Sequence, residues 1–265
     1  MQTGASAKNP ATRLTVVGSR KGAARISPAS PAAFPPVDHM LELAAAAETI
    51  RCGRGKHVVI AGDRLRCFYV NRDGWLARYK ILHNGNRQIV DFGLPGEAVG
   101  LQACLFSRSP YSIVTVTPAV LALIPLAGIE ELFVQNPQLS SAIFWCIVRE
   151  SARNVEHLID ASRRSAFERL SHFLLELYVR LDMTKQTDGM SFHMPLTQDL
   201  LADALGLTAI HLNRTMRMLR EEGLVEVENK RVTIRDFDAL SSLCDFEKSY
   251  LSECGPISQR PHRAS

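Results

Sequence analysis

Residues 197–223, TQDLLADALGLTAIHLNRTMRMLREEG, carry a helical period of apolar residues that breaks once, at Gly206, and then resumes. Two short helices this close in sequence must be joined by a sharp turn. Thr197, after Pro195 and Leu196, is placed to cap the first helix, whose inward positions are Leu200, Leu201, Ala202 and Leu205. Ala202 is small enough for a second helix to cross close by. Gly206 supplies the backbone freedom for the turn, Leu207 fills the angle between the helices, and Thr208 caps the second. On that second helix Leu212, Thr215, Met216 and Leu219 share one face, and Ile210, Asn213, Arg214 and Arg217 share the opposite one. The first set is built to pack, which leaves the second free to enter a groove.

The chemistry of the free face suits the edges of DNA bases. An Arg at 214 can give two parallel hydrogen bonds to guanine, Asn213 can do the same for adenine, and Ile210 offers an apolar surface to a thymine methyl. Arg217 completes the stripe, although Glu221 four residues on is a ready salt-bridge partner for it. Thr197, Gln198, Thr208 and His211 fall near helix N-termini, where short polar side chains meet phosphates. Gly223 ends the second helix, Leu224 to Val227 alternates as a strand, Asn229-Lys230 forms a turn, and Val232 to Ile234 returns. This predicts a winged helix-turn-helix spanning 197–221 plus its wing, with Lys230 and Arg231 at the wing tip contacting phosphates.

A chain of 265 residues can hold two domains with proper cores, and 46% hydrophobic residues argue for a globular protein. The net charge of +4 is too mild to point to nucleic acid by itself, so the local placement of charge carries that reading. No apolar run has the length of a membrane span, and a cytoplasmic protein is expected. Cys52, Cys67, Cys104, Cys146, Cys244 and Cys254 lie far apart with no CxxC pair, as in a reduced protein without a disulfide frame or a zinc site. Residues 1–35, rich in Ala, Ser, Pro and basic residues with no acid before Asp38, are expected to be a disordered basic tail. A second disordered tail is expected over 254–265.

Between the first tail and the helix-turn-helix, the period changes twice. LELAAAA marks a short helix over Val37 to Ile50. Cys67 to Val70 and Trp75 to Leu82 then alternate with period two, as do Ile113 to Val116 and Val120 to Ile124. Turn signals recur at Gly62-Asp63, Asp73-Gly74, Asn84-Gly85 and Pro95-Gly96. Many short strands with tight turns predict an antiparallel roll over 51–125, within a sensor unit of 36–135. A short helix over Ile129 to Val134 leads to Pro137 and a long helix, assigned to 136–162. On it Phe144, Val148, Ser151, Val155, Leu158 and Ser162 repeat at spacings of four and three, the seam of a two-stranded coiled coil and so of a homodimer. Arg163-Arg164-Ser165 is the expected hinge into a DNA-binding unit of 163–253. The fold class is therefore α+β: antiparallel β-roll, long dimerisation helix, winged helix-turn-helix.

This order resembles the Crp/Fnr family of bacterial transcription regulators. The resemblance rests on GNRQIVDFGLPGEAVGL (Gly85 to Leu101), RRSAFERLSHFLLEL (Arg163 to Leu177) and above all LTQDLLADALGLTAIHLNRTMRMLREEGLV (Leu196 to Val225). It implies a homodimer on a palindromic DNA operator, RNA polymerase as a further partner, and Ile210, Asn213 and Arg214 at the base-reading positions. Many relatives have Glu where this chain has Ile210, so its half-site should differ from theirs.

In cyclic-nucleotide-binding members a Glu follows the Gly of the roll's phosphate cassette, and an Arg-Ser/Thr-Ala triplet holds the phosphate. Here Leu101 follows Gly100, and the nearest triplet is Arg108-Ser109-Pro110, which argues against cyclic AMP. The absence of any Cys before Cys52 argues against the family's N-terminal iron–sulfur cluster, so no cofactor and no metal is predicted. Cys52, Cys104 or Cys146 remain open as a redox switch, with core filling as the plainer reading. The alternative to a regulator is a cyclic-nucleotide or other small-ligand module without specific DNA recognition. An enzyme of the metal-dependent jelly-roll type is disfavoured because His57 and His83 are isolated.

Overall fold

The computed structural model describes residues 36–253; the two tails expected over 1–35 and 254–265 lie outside them. Helix α1 (Pro36–Ala46) precedes β1 (Glu48–Cys52), β2 (His57–Val59), β3 (Cys67–Asp73), β4 (Leu76–Ile81), β5 (Arg87–Gly93), β6 (Ala98–Val99), β7 (Ser112–Thr115) and β8 (Ala119–Pro125). These strands pair antiparallel in two sheets, ordered β1-β8-β3-β6 and β2-β7-β4-β5. That is the expected roll, with one correction at its entrance. The helix expected to reach Ile50 stops at Ala46, and Glu48 to Ile50 instead pairs with Leu123 to Leu121. Thr49 and Ile50 are β-branched, and Ile50 is buried in the roll interior, which outweighs the helical pull of the alanines before them.

The Asp73-Gly74 turn needs its glycine. Gly74 has φ +87°, and a Cβ there would fall 2.2 Å from the carbonyl oxygen of Pro118. The roll's interior is filled by Ile50, Tyr69, Leu76, Ile113 and Leu121. Its first sheet turns Phe68, Val70, Ala122 and Ile124 outward against Met40 and Leu43 of α1. Beyond α2 (Ile129–Gln135), helix α3 (Pro137–Ser162) covers the same core with Leu139, Ile143 and Cys146. Asn136 caps α3 by accepting from the Leu139 amide at 3.0 Å, with Pro137 in the first turn. Its 26 residues span roughly 39 Å.

Helix α3 has two unlike faces. One is buried against the roll; the other exposes Phe144, Val148, Val155 and Leu158, the last two-thirds exposed at 67%, with Ser151 among them. A break at Arg163 and Arg164 leads into α4 (Ala166–Met183), which begins with a complete capping box between Ser165 and Glu168. Helix α4 carries Leu170, Phe173, Leu174 and Leu177 into one core with Trp75, Ala77, Phe92 and Leu94 of the roll. Alternation along β4 is weakened for that reason, since both of its faces are covered.

The C-terminal part adds β9 (Thr187–Asp188), β10 (Ser191–His193), α5 (Gln198–Leu205), α6 (Ala209–Glu221), β11 (Val225–Glu228), β12 (Arg231–Ile234), α7 (Phe237–Cys244) and α8 (Ser249–Ser252). Its sheet runs β11-β12-β10-β9, so the wing is the outer hairpin of four strands. No helix among the described residues is long and apolar enough to cross a membrane.

Candidate nucleic-acid interface

Helices α5 and α6 form the helix-turn-helix. Thr197 accepts from the Leu200 amide at 3.3 Å and Thr208 from the His211 amide at 3.2 Å, so both hydroxyls cap their helices. Each cap uses the oxygen as acceptor and leaves the O–H free to donate, which is what a phosphate requires. Gly206 takes φ +63° and ends α5. The last carbonyl of α5, on Leu205, accepts from Arg169 Nη1 of α4 at 2.6 Å, which pins the turn to the body of the domain.

Leu201, Ala202 and Leu205 of α5 and Leu212, Thr215 and Leu219 of α6 are buried. On the opposite face of α6 Ile210 is 85% exposed, and His211, Asn213, Arg214 and Arg217 are exposed with it. Arg214 makes no ion pair or side-chain hydrogen bond with any described residue. Arg217 Nε pairs with Glu221 at 2.7 Å, the surface bridge its spacing suggested. Asn213 Nδ2 donates to Oε1 of Gln198, the first residue of α5, at 3.0 Å. At the wing Asn229 and Lys230 take φ +48° and +63°, the left-handed pair of a two-residue hairpin turn. Lys230 is exposed at its tip, and Arg231 is tied to Asp188 of β9 at 2.5 Å.

A second constellation joins this reading head to the roll, and its members escaped sequence reasoning. Arg180 of α4 is 1% exposed and donates to Glu97 at 2.7 and 3.0 Å, to Asp91 at 2.9 Å, to Glu176 at 2.9 Å and to the Phe92 carbonyl. Arg153 of α3 reaches Asp91 at 2.8 Å, and Arg149 reaches Glu97 at 3.3 Å. Three arginines from two helices thus meet on two carboxylates of the roll. Burial alone would raise the pKa of Asp91 and Glu97, but the surrounding guanidinium groups hold both below the usual carboxylate range. Burial pulls the His157 imidazolium down, yet the Glu176 carboxylate at 2.9 Å outweighs it and lifts its pKa to about 9. Glu176 is correspondingly held at about 2 against its own burial. The available signal was the presence of Arg149, Arg153 and Asp160 among the inward positions of α3.

The roll interior has little room for a cyclic nucleotide. Leu101 packs outside the roll in the core shared with α1 and α3, Arg108 turns to the loop between β2 and β3 and donates to the Gly62 carbonyl at 2.7 Å, and Ser109 donates to the Tyr111 carbonyl at 2.6 Å. Arg78 lies 4.8 Å over the Tyr111 ring and pairs with Glu150 and Asp91. What remains beside Gly93, Gly100 and Ile113 is a cavity of about 20 Å³. Ligand pockets occupy about 300–1,000 Å³. The residues present do not fit the nucleotide.

Among the described residues no three His, Cys, Asp or Glu side chains come together as metal ligands. The five described cysteines are unpaired, and burial raises the thiols of Cys52 and Cys104 and pushes Cys146 up to about 11. Such thiols are poor nucleophiles at neutral pH.

Two family models match this chain. The Crp-like helix-turn-helix domain matches residues 168–243, and the cyclic nucleotide-binding domain matches 49–136, together more than half the sequence. The chain belongs to the Crp/Fnr family of transcriptional regulators. This Crp/Fnr regulator is 29% identical over 189 residues to the anaerobic regulatory protein of Pasteurella multocida, covering 71% of this chain and 69% of that one. It is 26% identical over 190 residues to the fumarate and nitrate reduction regulatory protein of Salmonella typhi, covering 72% and 76%. Among solved structures, FixK2 from Bradyrhizobium japonicum shares the fold with a TM-score of 0.67 at 21% identity, over 74% of this chain and 96% of that one. A DNA-binding regulator, and not a ligand module without DNA recognition, is what these matches support.

Proposed function

We propose that this regulator binds a two-fold symmetric operator as a homodimer, with α6 of each protomer in successive major grooves. The observation that carries the reading is the division of α6: one face packed, the other presenting Ile210, Asn213 and Arg214 to solvent with the Arg214 donors unspent. Arg214 pairs with a guanine edge, Asn213 with adenine, and Ile210 with a thymine methyl. Thr197, Thr208 and His211 hold phosphates at the helix ends. Lys230 adds a sequence-blind contact from the wing, and Arg217 and Arg231 join it when their exposed ion pairs yield to phosphate, since such pairs are weak.

The exposed stripe from Phe144 to Leu158 supports the dimer. Its apolar residues repeat at coiled-coil spacing on a helix whose other face is already occupied. A partner copy seated there sets two α6 helices about one DNA turn, roughly 34 Å, apart. Residues 36–135 serve as the sensor unit and 163–253 as the DNA-binding unit. A signal received at the roll reaches α4 through Asp91, Glu97 and Arg180. Given the filled interior, the roll does not take a cyclic nucleotide, and contact with RNA polymerase is made from the operator-bound dimer.

Selection from a random duplex pool tests this directly. The expected product is a palindrome with half-sites one helical turn apart, recovered equally with and without cyclic AMP. Failure to enrich any sequence would sink the reading, and enrichment only with cyclic AMP would sink its account of the roll.

A further inference from the structure

The side chain expected to touch phosphate at the start of α5 is instead committed to the reading helix. Gln198 Oε1 accepts from Asn213 Nδ2 at 3.0 Å, across the angle of the helix-turn-helix. The main chain on both sides is fixed: Thr197 caps α5 and Thr208 caps α6. Arg169 holds the last carbonyl of α5. The donor and acceptor therefore belong to two rigidly held helices, and their separation is set by the crossing of α5 and α6. We infer that Gln198 is a positioning residue for base recognition, which orients the Asn213 amide so that it reads adenine. This rests on the base-reading role proposed for Asn213 and goes one step beyond it.

An Asn amide has two N–H donors and one carbonyl acceptor. When the N–H trans to Oδ1 is the one given to Gln198, the other N–H and Oδ1 remain together on one edge of the planar group. Adenine presents N7 as acceptor and its 6-amino group as donor in the major groove, which is the complement of that pair. Without Gln198 the short Asn213 side chain rotates freely in solvent, and its amide can present either end to the groove. The orientation must then be selected on binding, and part of the preference for adenine is lost. The neighbouring readers do not depend on this hydrogen bond: among the described residues Gln198 gives its side-chain oxygen to Asn213, and neither Arg214 nor Ile210 is hydrogen-bonded to it. The two free N–H groups of Gln198 can still meet a phosphate, so the contact to Asn213 and the contact to DNA are separable by substitution.

Gln198→Ala removes both roles, whereas Gln198→Glu keeps an acceptor for Asn213 and replaces the phosphate donors with a negative charge. Pool selection with each variant, at two salt concentrations, is the experiment. The expected result for Gln198→Ala is a loss of about fivefold in adenine preference at one position of each half-site, the scale of one hydrogen bond. The guanine read by Arg214 keeps its preference. Gln198→Glu retains adenine preference and weakens all sequences alike. In an Asn213→Ala background, Gln198→Ala produces no further loss of selectivity.

Uniform weakening of all sequences by Gln198→Ala, with a shallower salt dependence and an unchanged adenine preference, would overturn the inference and leave a phosphate contact only. A wild-type chain that enriches no sequence overturns the base-reading proposal itself. A wild-type chain that enriches an operator whose preference Gln198→Ala leaves intact overturns the positioning role alone.

Discussion

Arg180 in α4 and Arg214 in α6 are the same residue type on two helices of one domain, in opposite circumstances. Arg180 is 1% exposed, and its donors go to Glu97, Asp91, Glu176 and a backbone carbonyl. Arg214 stands in solvent and is bonded to no described side chain. A guanidinium taken out of water must have its donors satisfied, because an unpaired buried charge is very costly. One left in water can keep its donors in reserve for a ligand. Saturation thus marks the joint between roll and reading head, and unspent donors mark the reading head itself.

The largest expected effect comes from breaking the saturated side. Arg180→Ala takes from Glu97, Asp91 and Glu176 a buried partner that all three share, and removing one partner of a buried charged network costs about 3–5 kcal/mol. Urea denaturation should show that loss. Arg180→Lys should recover little of it, because a single ammonium cannot reproduce the fork that spans Glu97, Asp91 and Glu176. A variant as stable as the wild type would mean that the joint tolerates open charges and that the contrast with Arg214 is empty.

Next in size is the exposed side. Arg214→Ala should leave folding unchanged and remove about 1–3 kcal/mol of discrimination at one operator position, the usual worth of a bidentate base contact. Lys230→Ala should weaken binding to every sequence equally and lower the salt slope by about one. Binding titrations on the selected operator and on single-base variants separate the two. Equal, sequence-blind losses for both substitutions would place Arg214 on phosphate instead.

How much of this could be read from the chain follows the same division. Residues 197–221 were legible because a local period, one glycine and two threonine caps decide that structure within a few turns. The roll was legible as a class from its turns, but its first strand was hidden: Glu48 to Ile50 pairs with β8, more than seventy residues away in sequence, behind a run of alanines. The hairpin β9–β10 was equally silent, since strands of two and three residues carry no period. The charged joint was the least legible. Asp91, Glu97, Arg153 and Arg180 come from three separated segments, and an isolated charge on a helix reads as solvent-facing unless its partner's position is known.

The joint also makes a prediction about pH. His157 goes from an ordinary 6.5 to about 9 through its contact with Glu176. A raised pKa stabilises the folded state fully below pH 6.5, and that stability is lost as pH rises through about 9. Glu176 is lowered from 4.5 to about 2, so its share is present above pH 4.5 and lost as pH falls through about 2. Melting temperatures should therefore fall between pH 6.5 and 9.5, and His157→Gln should flatten the curve across that window. A curve of unchanged slope in the variant would assign the alkaline loss to other groups.

The smallest effect belongs to Arg217, which lies between the two extremes. It is exposed like Arg214, yet its Nε is held by Glu221 at 2.7 Å, with both side chains more than half exposed. Such a pair contributes little to folding, so Glu221→Ala should leave the melting temperature where it was. For binding the sign reverses, because the substitution removes a negative charge that faces the DNA and frees a guanidinium for phosphate. Affinity should then rise slightly for all sequences, with a somewhat steeper salt dependence and no new base preference. A new preference at one operator position would move Arg217 to the reading side, beside Arg214, with Glu221 holding it back.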